Sequence, residues 1–179
     1  LDSLSKKLNK ENMNAPNIAK ELASVLVPKA WKIALAESCT GGLVCATLTE
    51  LAGSSDWFER GYITYSNQAK TECLGVAAEL ISSYGAVSEP VAKAMAEGAL
   101  RNAKVKAAIA ITGIAGPSGG SAEKPVGTVC FGWSIQNAAG VLETTCATKV
   151  FQGDRQSVRL QATSYALSEL LALLQSAQQ

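Results

Sequence analysis

The sequence contains no histidine. That absence excludes every Ser-His-Asp and Cys-His arrangement within the chain, and the usual catalytic zinc sites, which are built on imidazoles. Any hydrolytic chemistry must draw its base from lysine, tyrosine or a carboxylate. Charge imbalance is missing too: 16 basic side chains face 15 acidic ones, for a net charge of +1. Such a balance leaves no electrostatic footprint for nucleic acid, and no basic run marks a membrane surface. No apolar stretch approaches a membrane span, and the polar start shows no signal peptide, so the cytoplasm is the expected location. The first residue is leucine, which reads as a trimmed chain or a fragment. The five cysteines, at 39, 45, 73, 130 and 146, are odd in number and include no Cys-x-x-Cys. Free thiols in a reducing compartment are expected.

What is present suits one α/β domain spanning the 179 residues, 47% of them apolar, enough for a substantial core without metals or disulfides. Residues 1 to 14 are polar and read as a frayed start or short loose helix. From Pro16, the spacing of Ile18, Leu22, Val25 and Leu26 predicts an amphipathic helix that Pro28 ends. Trp31 to Ala36 reads as a first strand and Leu43 to Leu51 as a helix. Trp57 and Phe58 form an apolar plug, and Gly61 to Tyr65 has the character of a second strand. Ser66 or Asn67 can cap a helix running from Gln68 to near Gly75. Ser88-Glu89-Pro90 starts another, with Val91, Met95 and Ala99 on its buried stripe. Ala107 to Ile111 is a central strand, followed by a glycine-rich loop from Thr112 to Gly120. Gly127 to Ile135 and Val141 to Phe151 pair as a hairpin. Gly153-Asp154-Arg155 opens a last helix, with Leu160, Leu167, Leu171 and Leu174 facing the core. Strands alternating with helices predict a three-layer α/β/α sandwich, its mixed and mostly parallel sheet having about five strands. The hairpin puts one antiparallel strand into it.

In such a sheet the carboxyl ends of parallel strands share one edge, where ligands bind. Three polar strand ends meet there: Ser38-Cys39-Thr40-Gly41-Gly42, then Tyr65-Ser66-Asn67 with Lys70, then Thr112-Gly113 and the glycine loop through Gly116. Ser38 sits on a strand-to-helix turn and is a candidate nucleophile, although a serine before a helix is commonly only a cap. Cys39 is the alternative; adjacent side chains diverge, so only one of them can face the base. Lys70 lies in the first turn of its helix, where the macrodipole disfavours a cation. That placement and partial burial lower an amine's pKa, and a neutral amine can activate a serine where no imidazole exists. Tyr65 is either a proton relay between them or a core aromatic with a wet tip. The glycine loop offers backbone N–H groups to a phosphate or an oxyanion, but matches neither the Walker nor the dinucleotide fingerprint. Arg155 is a candidate for an anionic ligand group.

Taken together and in order, six blocks resemble the CinA C-terminal domain family. They are Ala36-Glu37-Ser38-Cys39-Thr40-Gly41-Gly42, Tyr65-Ser66-Asn67-x-x-Lys70, Gly85-Ala86-Val87-Ser88, Gly113-Ile114-Ala115-Gly116-Pro117-x-Gly119-Gly120, Lys124-Pro125-Val126-Gly127-Thr128-Val129 and Phe151-x-Gly153-Asp154-Arg155. The resemblance runs from about residue 16 to 176. It implies a three-layer α/β/α sandwich and hydrolysis of the carboxamide of nicotinamide mononucleotide, giving nicotinate mononucleotide and ammonia in bacterial pyridine-nucleotide salvage. It further implies a serine nucleophile at Ser38, lysine and tyrosine partners at Lys70 and Tyr65, and an active-site hydroxyl at Thr112. Thr40, Gly41, Gly42, Asn67, Gly113, Gly116 and Arg155 are the expected substrate-binding set. The resemblance does not reach the amino-terminal domain of full-length members, whose activity is not expected here. No cofactor or metal is expected, the partner is a small-molecule substrate, and a homo-oligomer is anticipated. The competing reading is a nucleotide-binding module without catalysis.

Overall fold

The computed structural model describes residues 15–176; the polar lead-in at 1–14 lies outside them. In chain order the elements are α1 (Ala15–Leu26), β1 (Ile33–Glu37), α2 (Leu43–Thr49), β2 (Phe58–Ile63), α3 (Asn67–Leu74), α4 (Ala78–Tyr84), α5 (Glu89–Ala103), β3 (Ala107–Gly113), β4 (Thr128–Gln136), β5 (Leu142–Val150) and α6 (Arg155–Ser176). The five strands form one sheet in the order β2-β1-β3-β4-β5. β1 runs parallel to β2 and β3, whereas β4 is antiparallel to both β3 and β5. The mixed sheet is therefore the expected one, and β4 is the reversed strand that a hairpin after β3 demands.

The two faces of the sheet are built differently. Ile33 and Leu35, Ile109 and Ile111, and Phe131 and Trp133 fill one face beneath α1, α2 and α6. On the other, Ala34, Ala36, Ala108 and Ala110 let α5 come close, with Val91, Met95 and Ala96 against them. The approach is tight enough that a Cβ on Gly132 of β4 would fall 2.6 Å from the Ala92 carbonyl oxygen.

Three details differ from expectation. α4 is a helix that the sequence pattern leaves unassigned: it is seven residues long and its N-cap, Ala77, has no side-chain acceptor to announce it. β2 begins at Phe58, which pairs with Ile33, so Trp57 alone is the buried plug and Thr64 and Tyr65 lie past the strand. Leu160 is 50% exposed. Val158, Ala162, Ala166, Leu167, Leu170, Leu171 and Leu174 make the α6 stripe instead, because small alanines set its phase.

Candidate active site

The β1 register runs to Glu37 opposite Ile63 of β2 and Ile111 of β3. One further step is still laddered: the Ser38 amide donates to the Ile111 carbonyl at 3.0 Å, and the Thr64 amide to the Glu37 carbonyl at 2.8 Å. Side chains alternate across a strand. Ser38, Thr64 and Thr112 therefore leave the sheet edge side by side on the face that carries Ala34, Ala36 and Ala110, toward α3, α4 and α5. α3 delivers Lys70 to the same place. Ser66, rather than Asn67, caps it, accepting from the Ala69 amide at 3.0 Å. The Lys70 side chain is 1% exposed, and its Nζ lies 3.1 Å from Ser38 Oγ and 2.9 Å from the Thr64 carbonyl oxygen. Burial holds the amine below the ordinary lysine range. No carboxylate pairs with it among the described residues.

Glu37 points the other way, toward α2. Its buried carboxylate accepts from the amides of Gly42 at 2.9 Å, Val44 at 3.3 Å and Cys45 at 2.8 Å. The helix start that would otherwise attract an anion is already occupied, and the Gly42 amide is taken. Gly41 and Gly42 both carry positive φ, which this turn requires. Arg159 of α6 braces the turn from behind, donating to the carbonyls of Cys39 at 3.2 Å and Thr40 at 2.8 Å. A trans peptide sets C=O and N–H in opposite directions, so fixing the Cys39 carbonyl fixes where the Thr40 N–H points. That amide has no protein acceptor among the described residues. Neither Glu37 nor Arg159 was singled out from sequence. The one signal was an acid directly before the candidate serine.

Thr112 is buried, and its hydroxyl donates to the Ala86 carbonyl at 2.9 Å, tying β3 to the loop before α5. Tyr65 is 59% exposed; its hydroxyl accepts from Arg155 Nη2 at 2.9 Å, while Arg155 Nη1 donates to the Gly116 carbonyl at 2.8 Å. The anticipated relay from Tyr65 to Ser38 or Lys70 thus has no bond behind it. Asn67 is exposed at the start of α3. Gly113 is a packing glycine: a Cβ there would meet Val129 at 2.8 Å, the Thr128 carbonyl at 2.9 Å and Cys39 Sγ at 3.1 Å. Cys39 lies in the core with α1, α2 and α6, where burial pushes its thiol up to about 11. Two buried hydroxyls, of Thr40 and Thr64, have no partner among the described residues.

An α/β/α sandwich with a buried serine–lysine pair at the carboxyl edge of its parallel strands is the class these features define. The CinA C-terminal domain matches residues 15–174, and the chain belongs to that family. The Escherichia coli K12 protein named nicotinamide-nucleotide amidohydrolase PncC is 48% identical over 153 residues, 86% of this chain and 90% of that protein. A CinA-like protein of Syntrophobacter fumaroxidans is 52% identical over 157 residues, 88% of this chain but 36% of its own length. The crystal structure of a competence or damage-inducible protein from Enterobacter asburiae superposes with a TM-score of 0.85 at 37% identity, covering 91% of this chain and 99% of that one.

Proposed function

We propose that this chain hydrolyses the carboxamide of nicotinamide mononucleotide to nicotinate mononucleotide and ammonia, through a seryl ester, in pyridine-nucleotide salvage. The approach of Lys70 Nζ to 3.1 Å from Ser38 Oγ carries the reading. The amine is buried and unpaired by any carboxylate, so its neutral form is accessible as a base. The likeness to PncC points to the substrate.

In the proposed cycle neutral Lys70 takes the hydroxyl proton as Ser38 Oγ bonds to the amide carbon. The oxyanion that forms is met by the Thr40 amide, whose direction Arg159 fixes. Lys70 returns the proton to the substrate nitrogen as the C–N bond breaks, releasing ammonia and leaving the seryl ester. Water, deprotonated by Lys70, then attacks the ester and frees Ser38. The positive pyridinium ring makes the carbonyl more electrophilic, which favours a modest nucleophile. Arg155, held at the mouth by Tyr65 and Gly116, is assigned to the phosphate. Every step uses side chains, backbone and water.

Ammonia release from the mononucleotide by wild type, Ser38→Ala and Lys70→Ala tests the reading. Each variant should lose on the order of a thousandfold in kcat; equal rates in all three would end it. We also expect a cytoplasmic enzyme that self-associates. Support for self-association comes from the exposed Leu142 and Val150 of the edge strand β5 and Val141 just before it, and sedimentation would decide it.

A further inference from the structure

Thr64 and Thr40 hold the two buried side-chain polar atoms that lack a hydrogen-bond partner among the described residues. Buried hydroxyls are nearly always paired in native proteins, and each exception asks for an explanation. Both exceptions here fall at the catalytic pair. Thr40 is two residues from Ser38. Thr64 gives its carbonyl to Lys70 Nζ at 2.9 Å, and its side chain is 0% exposed. The Thr64 amide continues the β1–β2 ladder, so its hydroxyl leaves on the Ser38 face. The residue before it, Ile63, lies on the opposite side near Gly42. A ligand for the Thr64 hydroxyl must therefore reach it from the layer in which Ser38 Oγ and Lys70 Nζ lie bonded to each other.

The proposed reaction, on which this inference rests, puts a primary carboxamide nitrogen there. That nitrogen brings two N–H donors into a dry site where Lys70 already donates to the Thr64 carbonyl and shares the hydroxyl proton with the serine oxygen. Its own lone pair is free only once the carbonyl has been attacked, and then receives the Lys70 proton. The two N–H groups need an acceptor throughout, and among the described residues the Thr64 hydroxyl is an unused one. We propose that Thr64 is a further catalytic residue, its hydroxyl accepting an N–H of the substrate carboxamide and holding the departing nitrogen against Lys70. The proton count is unchanged: ammonia leaves with the two amide hydrogens and the one that came from Ser38.

Thr64→Val and Thr64→Ser test this on the mononucleotide. The valine variant should lose about tenfold or more in kcat. Without substrate it should melt no lower than wild type, and by ~2 °C higher, because an unpaired buried hydroxyl has been removed. The serine variant should recover most of the rate. Full kcat in the valine variant, a serine variant as slow as the valine one, or a valine variant that melts lower than wild type would each overturn the assignment. Wild type that releases no ammonia sinks the reading of the reaction instead, so the two failures are separable.

Discussion

Ser38 and Cys39 are adjacent in the chain and face opposite layers of the sandwich. Ser38 Oγ meets Lys70 on the α3 side, while Cys39 packs into the core beneath α1, α2 and α6. A thiol pushed up to about 11 by burial stays protonated near neutrality and packs on the opposite face of the sheet from Lys70. Cys39→Ala should therefore keep kcat within about twofold and lose about 1–2 kcal/mol of stability through the small cavity it leaves. Urea unfolding beside steady-state kinetics checks both. A collapse of kcat in a folded Cys39→Ala protein would return the nucleophile's role to the thiol.

Lys70 makes the activity depend on pH in a fixed direction. In the proposed cycle the base form is the working one, so kcat/KM should rise with pH on a single-proton limb centred below the ordinary lysine value of 10.5. Stability follows the same group. Between the lowered folded value and 10.5 the unfolded chain binds more protons than the folded one, so stability rises with pH through that window and the cost of burying the amine is full below it. Lys70→Met should flatten this slope and be the more stable protein at neutral pH. A wild-type rate that is level across the window contradicts the assignment of the base.

Much of this was legible in the sequence because it is local. The strand-to-helix turns carry their own punctuation in Gly41-Gly42 and Ser66, and the alternation of apolar strands with amphipathic helices dictates the layers. What was not legible depends on pairs far apart in the chain. The Tyr65–Arg155 bond joins residues 90 positions apart, and Arg159 braces a turn about 120 residues before it. Neither residue type is unusual enough to announce its partner. Thr64 was invisible for another reason: a β-branched residue after Gly-Tyr-Ile reads as strand, and only burial without a hydrogen bond distinguishes it. Leu160 misled because its size suggests core, while the phase of α6 is set by alanines.

Glu37 organises the Ser38 turn through three charge-assisted hydrogen bonds to the start of α2. Glu37→Gln replaces one carboxylate oxygen by an N–H donor that faces amide donors. The expected loss is about 1–3 kcal/mol of stability. Because the same turn carries Ser38 and the Thr40 amide, kcat should fall while KM for the mononucleotide changes little. Denaturant melts and a KM-against-kcat comparison read the two effects separately; an unchanged melt would mean that the carboxylate contributes nothing to the turn.

Gly98 sets how closely α5 can lie against α3. A Cβ there would run into the carbonyl of Leu74, which is backbone and cannot rotate away. Gly98→Ala should therefore destabilise by about 1–3 kcal/mol despite alanine's better helix propensity. It should also lower kcat, since α3 carries Lys70 and an outward shift lengthens its reach to Ser38. A variant that melts higher than wild type would show that the two helices separate without cost.

Arg155 is the first residue of α6, where a cation is disfavoured by roughly 0.3–1 kcal/mol. Its two bonds go to neutral oxygens, of Gly116 and Tyr65, and no carboxylate pairs with it among the described residues. An exposed guanidinium in that position has its charge available for an anion. Arg155→Met should raise KM for the mononucleotide by about tenfold or more, the worth of a charged hydrogen bond, with a smaller effect on kcat. The corresponding riboside lacks the phosphate, so its KM should be the same for wild type and variant. Equal penalties on both substrates would move Arg155 from phosphate recognition to holding the loop that contains Gly116.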